Sequence, residues 1–355
     1  MSAWRFNKVF IESTSFLRAE QQVSSAELED RVSSVYNKLQ IPFGTLEKLS
    51  GIKNRYFWSP STPPSQVATQ VAELAIEKSS IERDKIGALF SCSVSRDYFE
   101  PATAILVHHN LRLNQKSIAF DISNACIGFS DGLLTASMLI ERGDIQAALV
   151  VSGESLGRMF ENSISHMLNA PNLGREDLLK LLPTLTLGCG AVAYLLCSEK
   201  LASSGAHALR GIVSRTASEF KDLCVGSQDA CILDNSDGFN PIMHTESSKL
   251  IPAASALGGS MREEALSFLG WKAEEIDRII CHQVGKQVNE IFYKQMGLDF
   301  TKDYAIYSEF GNMVSASLPG AVAIAADRQV LKRGDKLLLT AFGSGLNCRF
   351  ISIDW

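Results

Sequence analysis

MLIERGDIQAALVVSGESLG (138–157) and QVLKRGDKLLLTAFGSGLNC (329–348) read as two copies of one unit. Each has a helix end, an R-G-D turn, a buried strand and a Gly/Ser turn. Gly143 and Gly334 lie 191 residues apart. A second pair, IERDKIGALFSCSVS (81–95) and KAEEIDRIICHQVG (272–285), aligns Ile86 with Ile276 at an offset of 190. An acidic turn before a buried strand recurs in any α/β protein. Two matches at nearly one offset point instead to duplicated α/β halves.

The rest of the chain fits that reading. Continuous apolar runs of strand length (86–94, 117–123, 147–153, 190–197) alternate with amphipathic stretches at 24–40 and 64–78. Unbroken rather than alternating apolar runs predict strands covered on both faces, hence helices packed on central sheets. The predicted division is an N-terminal half, 1–200, and a C-terminal half, 201–355, with the small polar stretch SEKLASSGAHA (198–208) as the link. The stretch 224–252 reads as a loop insertion that pads the surface; the alternative is that it shapes a substrate tunnel.

Composition narrows the function. The chain has 355 residues, 46% of them apolar, and a net charge of −5 with no Lys/Arg-rich run. The phosphate-neutralising footprint of a nucleic-acid binder is missing, and no apolar stretch is long enough to span a bilayer. MSAWRFNKVFIES lacks the regions of a signal peptide, which predicts a cytoplasmic location. Eight scattered cysteines with no CxxC pair predict neither a disulfide framework nor a metal site.

The offset of the repeat gathers the unusual residues at carboxyl ends of strands, where α/β sheets place their sites. Cys126, in FDISNACIGFSDGL (120–133), follows an apolar run and precedes a helix. Unpaired N–H groups and the dipole of a helix N-terminus favour a thiolate and an oxyanion there. The alternative is a small structural cysteine. His282, in CHQVG, follows an apolar strand and is either a hydrogen-bond donor and proton shuttle or a satisfied core histidine. Asn312, in SEFGNMVSASLPG (308–320), either polarises a carbonyl beside His282 or caps a turn. AFGSGLN (341–347) is a glycine turn whose Ser344 amide is a candidate oxyanion donor beside that of Cys126. It meets neither the Walker nor the dinucleotide spacing. Glu100, in SRDYFEPATA (95–104), stands among apolar neighbours; partial burial would raise its pKa and suit it to proton abstraction. It reads equally as a surface acid beside a turn proline.

DISNACIGF, CHQVG, FGNMVSASLP and AFGSGL, taken in order with the duplication, resemble the thiolase superfamily of condensing enzymes, and the ketoacyl-[acyl-carrier-protein] synthase III branch in particular. The resemblance implies a thiolase-like α/β fold: two βαβαβαββ halves in a five-layer αβαβα arrangement. It also implies a homodimer with a Cys126–His282–Asn312 triad, no resident cofactor or metal, and coenzyme A thioesters as substrates. Synthase III chains carry Trp-x₃-Arg before a Thr-Gly-Ile segment; here SGIKNRYF is preceded by Thr45 and Leu49. They have phenylalanine where this chain has Glu100. With SCSVSRD and LTLGCGA (185–191), that acid is similar to OleA-type enzymes, which join two fatty acyl-CoA molecules head to head. The resemblance implies that Glu100 is the base in the other subunit's site. Malonyl condensation makes its carbanion by losing CO₂, whereas joining two ordinary acyl thioesters requires removal of an α-proton. The expected activity is therefore an acyltransferase-type Claisen condensation of two acyl-CoAs. The rival substrate is malonyl-carrier protein with a primer acyl-CoA. A papain-like hydrolase lacks its local Cys signature here, and a silent partner subunit would show erosion of Cys126, His282 or Asn312.

Overall fold

The computed structural model describes residues 2–226 and 242–355. Ten strands form one sheet system: β1 (Ser2–Arg5), β2 (Val9–Arg18), β3 (Ile86–Ser91), β4 (Ile118–Asp121), β5 (Ala147–Glu154), β6 (Gly190–Ser198), β7 (His207–Thr216), β8 (Arg278–Cys281), β9 (Lys336–Gly343) and β10 (Asn347–Asp354). Their order is β8-β9-β10-β7-β2-β6-β5-β3-β4, with β1 added antiparallel to β7. β4-β3-β5-β6-β2 is mirrored by β8-β9-β10-β7, and the two runs meet at the short β2–β7 pairing, Phe10 with Ala208 and Ile11 with His207. A parallel bridge between Ile279 and Asp303 stands where β4 pairs with β3 in the other run. The two R-G-D turns match as well: Gly143 and Gly334 both adopt left-handed φ, 82° and 93°, with open space where a Cβ would project.

Three apolar layers sandwich this sheet system. Strand β5 is buried at every position and β6 at all but its last, as expected of strands covered on both faces. On one outer face, helix α1 (Pro64–Glu77) packs Val67, Val71 and Ala75 against Leu89, Leu149 and Leu195. In the middle lie α2 (Gly128–Arg142) and α5 (Ser317–Asp327), whose Phe129, Leu133, Leu318 and Val322 share a core with Phe90, Val150, Leu339 and Ile351. On the far face, α3 (Ser247–Leu269) and α4 (Lys286–Met296) contribute Met261, Phe292 and Met296 against Leu338 and Phe350. The layers therefore run helix, sheet, helix, sheet, helix. Helix α5 is buried from Ser317 through Ala325, which explains a sequence apolar on every side. Each fully buried Leu or Phe contributes about 1.5–3 kcal/mol.

Two local expectations change. The amphipathic stretch 24–40 forms two short helices, Ser25–Arg31 and Ser33–Lys38, broken at Val32, where φ is −106°. The first is started by a capping box, with Glu27 N–H on the Ser24 hydroxyl and Ser24 N–H on the Glu27 carboxylate. Of the stretch 224–252, residues 227–241 lie outside the described residues. Its flanks are a two-stranded ribbon, Cys224–Gly226 with Met243–Thr245, and its end is already helix α3.

Candidate active site

Cys126 sits in a tight turn two residues before α2. Ala125 takes a left-handed φ of 46°, a conformation a Cβ-bearing residue adopts only when its surroundings hold it there. The turn is held from behind. Asn124 Nδ2 donates to Asp131 at 2.7 Å, and Asp131 is paired with Arg349 on β10. Asn347 Nδ2 spans Asn124 Oδ1 at 3.4 Å and the Ser344 carbonyl at 3.2 Å, tying the Cys126 turn to the glycine turn after β9. A Cβ at Gly343 would lie 3.1 Å from the Ile127 side chain and 3.3 Å from its amide nitrogen, so glycine lets the two turns lie against each other.

His282 is the first residue beyond β8, its N–H bonded to Thr340 O at 2.9 Å. The neighbouring Gln283 is fully buried. Its Oε1 accepts the N–H groups of Ile306 (2.7 Å) and Tyr307 (3.2 Å), and its Nε2 donates to Cys281 O at 2.6 Å. It thus fastens the His282 segment to the short helix Tyr307–Phe310 that leads into Asn312. Gly311, with φ 67°, makes the turn; a Cβ there would meet Thr186 O at 2.7 Å. Asn312 N–H bonds Thr186 O and its carbonyl accepts Gly188 N–H, both at 2.9 Å. Its side-chain Oδ1 accepts Val314 N–H at 2.9 Å and the Ser317 hydroxyl at 3.2 Å. Because Oδ1 is used on protein donors, Nδ2 is the end left to donate toward a ligand.

Cys126, His282, Asn312 and Ser344 line one cavity of about 580 Å³. Leu46, Leu156, Met159, Leu187, Phe292 and Phe342 are among its apolar walls. The structure thus joins four of the five residues singled out from sequence. Burial in this cavity pushes the Cys126 thiol above its ordinary value; Cys224 and Glu154 add to the rise, and the residue's own N–H opposes it. This corrects the expectation of a thiolate favoured by the helix N-terminus: an apolar cavity disfavours the charged sulfur more than the helix end favours it. Burial lowers His282 to about 4, so at neutral pH it is an uncharged imidazole, able to take a proton.

The fifth residue, Glu100, lies elsewhere. It does not line its own chain's cavity and is exposed, on a projecting loop beside Tyr98 and Phe99, the latter 83% exposed. Partial burial by its sequence neighbours is therefore not found within one chain, because those neighbours themselves point to solvent. The flanks of 224–252 also differ from a surface pad: Cys224, Gly226, Met243 and Thr245 line the cavity, as does Leu49.

Glu154, Gln283 and Asn347 were not legible as site residues. The one available signal was an acid ending the apolar run AALVVSGE (147–154). Among the described residues, no cluster of three or more His, Cys, Asp or Glu side chains could hold a metal, and no helix is long and apolar enough to cross a membrane.

This layered fold, with a cysteine turn, a strand-end histidine and an asparagine turn on one cavity, is that of the thiolase-like condensing enzymes. The model for 3-oxoacyl-[acyl-carrier-protein] synthase III matches residues 120–169, which include Cys126. The model for the synthase III C terminal matches 266–355, which include His282 and Asn312. The chain is 34% identical to an acyl-CoA:acyl-CoA alkyltransferase of Xanthomonas campestris pv. campestris, over 99% of both chains. It is 34% identical to that of Shewanella oneidensis, over 99% of this chain and 100% of the relative. A crystal structure of a serine-for-cysteine variant of X. campestris OleA with bound lauric acid and lauroyl-CoA superposes with a TM-score of 0.91. It is 33% identical, over 99% of this chain and 100% of that one. The synthase III of Clostridium tetani is more distant, 27% identical over 82% of this chain and 84% of its own. The chain belongs to the OleA-type acyl-CoA:acyl-CoA alkyltransferase family of thiolase-like acyltransferases.

Proposed function

We propose that the protein joins two acyl-CoA thioesters by Claisen condensation, without decarboxylation, through an acyl group held on Cys126. The observation that carries this is the single apolar cavity on which Cys126, neutral His282 and the donor end of Asn312 converge. Cys126 sulfur attacks the first thioester carbonyl as its proton passes to His282, and coenzyme A leaves with a proton. The N–H groups of Cys126 and Ser344 hold the tetrahedral oxyanion. His282 and Asn312 then hydrogen-bond the carbonyl of the second acyl-CoA, which acidifies its α-carbon. Glu100 of a second copy removes the α-proton. The carbanion attacks the acyl-cysteine carbonyl, the C–S bond to Cys126 breaks, and a β-ketoacyl-CoA forms.

That role of Glu100 requires a homodimer, and an exposed sheet edge supports one. Strand β4 is an open sheet edge, and its Ile118 and Phe120 are 45% and 41% exposed. Tyr98 and Phe99, in the segment that carries Glu100, and Ile105, in the helix after it, are exposed as well. Such an edge is a template for pairing with another chain. The same reading takes 1–200 and 201–355 as the two duplicated halves, supported by the repeated strand order, and places the enzyme in the cytoplasm with no resident cofactor. Long-chain acyl groups suit a cavity with these apolar walls.

The test is purified protein with a long-chain acyl-CoA and no malonyl donor, followed by mass spectrometry for free coenzyme A and a β-keto product. Product formation that disappears in Glu100→Ala supports the reading. Acylated Cys126 that turns over only after malonyl-carrier protein is added would replace it with the synthase III reaction.

A further inference from the structure

Glu154 ends strand β5 and is 0% exposed, and it does not line the cavity. Its carboxylate is filled with donors from two directions. From the β3 side, Oε1 accepts Val94 N–H at 3.0 Å, and Oε2 accepts the Ser95 N–H (3.1 Å) and hydroxyl (2.8 Å). From the Asn312 side, Oε1 accepts the Ser315 hydroxyl at 2.5 Å and its N–H at 3.4 Å. The frame continues outward: Ser155 N–H bonds the Ser95 hydroxyl at 2.9 Å, and the Ser152 and Ser315 hydroxyls lie 2.7 Å apart. The Glu154 carbonyl also accepts the Trp58 indole N–H at 2.9 Å.

Burying a carboxylate is costly unless each lone pair is used, and packing alone would be served better by an apolar side chain. What this one joins is specific. Ser95 opens the loop that carries Glu100 five residues on. Ser315 lies three residues after Asn312, next to Val314, a β-branched residue held at φ 51°. A strained backbone of that kind persists only where its surroundings over-determine it.

We propose that Glu154 is a positioning residue, clamping the loop that presents Glu100 to the neighbouring subunit and the turn that presents Asn312 to its own cavity onto one strand end. The proposal rests on the condensation reading above. Its consequence is asymmetric. Acylation of Cys126 uses the cysteine and glycine turns, which Glu154 does not touch. Carbanion formation uses Glu100 and Asn312, whose loop and turn it holds through Ser95 and Ser315.

The experiment is Glu154→Gln in the full chain. Gln turns one acceptor into a donor facing N–H and O–H groups. Two quantities are measured: the burst of coenzyme A released on acylating Cys126, and steady-state β-keto product. The expected result is a burst of unchanged amplitude, one coenzyme A per Cys126, with product formation down roughly ten- to a hundredfold. Should Glu154→Gln fail to fold, Ser95→Ala removes a single hydroxyl from the carboxylate, and its burst and product formation are read the same way. A burst and a turnover that fall in equal proportion, or a turnover that does not fall, would overturn the proposal. Failure of the condensation reading would show in the unsubstituted protein, which would form no β-keto product from acyl-CoA alone; failure of the Glu154 role would show only in the variants.

Discussion

Cys126 and His282 are two neutral groups at rest, each held uncharged by the same apolar burial. The ion pair that would make a strong nucleophile is disfavoured until a polar thioester enters, so proton transfer is coupled to substrate arrival. Cys126→Ala should abolish the acyl-enzyme adduct seen by intact-protein mass spectrometry; an adduct surviving in that variant would remove Cys126 from its role. His282 also makes a prediction about stability. Its folded pKa, about 4, lies below the ordinary 6.5. Between those values the unfolded chain binds a proton that the folded chain does not, so this contribution to stability falls as pH drops from about 6.5 to about 4. For one buried group the loss approaches 3 kcal/mol. Half-buried His207 is lowered to about 4 as well, by burial and Arg333, and titrates in the same direction. Relative to the native chain, the urea midpoint of His282→Asn should therefore rise as pH falls from about 6.5 toward 4.5, because Asn cannot charge. Parallel profiles would show that His282 is not buried neutral.

At the scale of elements, short turns decide where the side chains point. The R-G-D turns and the GNMV turn both use left-handed glycine, with different surroundings. Gly143→Ala meets open space and should cost about 1 kcal/mol in thermal or denaturant melts, with turnover unchanged. Gly311→Ala brings the same backbone penalty plus a Cβ against Thr186 O, in the turn that aims Asn312. It should lower turnover by about 10²-fold, well beyond its effect on the melt, because an ångström of misplacement is enough. Equal losses in the two variants would contradict this assignment. The elements themselves were largely legible. Continuous apolar runs gave β3, β5 and β6, because burial on both faces leaves a trace in composition; the run 117–123 gave β4, but as an edge strand with Ile118 and Phe120 exposed rather than covered on both faces. The break at Val32 was not legible, since nothing in SSAELEDRVSSVYNKLQ interrupts the helical period.

At the scale of the whole molecule, the site is divided between copies of the chain if Glu100 acts where proposed. Mixing Cys126→Ala with Glu100→Ala should restore condensation that neither variant shows alone, because one site of the mixed dimer then has both residues. Absence of recovery after subunit exchange would place the base within its own chain. Phe120→Lys, which sets a charge on the exposed β4 edge, should shift the protein toward monomer in sedimentation. Acylation of Cys126 should survive while condensation is lost.

The repeated apolar runs and R-G-D turns were sufficient to set out two α/β halves, because the strand pattern and turn chemistry are local properties that each half carries twice. Cys126, His282 and the AFGSGLN turn were legible for the same reason: each follows a strand, and strand ends in duplicated halves converge; Asn312, expected at a strand end as well, instead follows the short helix Tyr307–Phe310. Tertiary structure alone decided the rest. The sign of the Cys126 shift depends on apolar walls drawn from segments as distant as Leu46 and Phe342. The clamp at Glu154 joins residues about 60 and 161 positions away, and the bridge at Asn347 reaches 223 positions to Asn124. Contacts at such separations leave no period in the sequence, and the field at a buried sulfur is the sum of all of them.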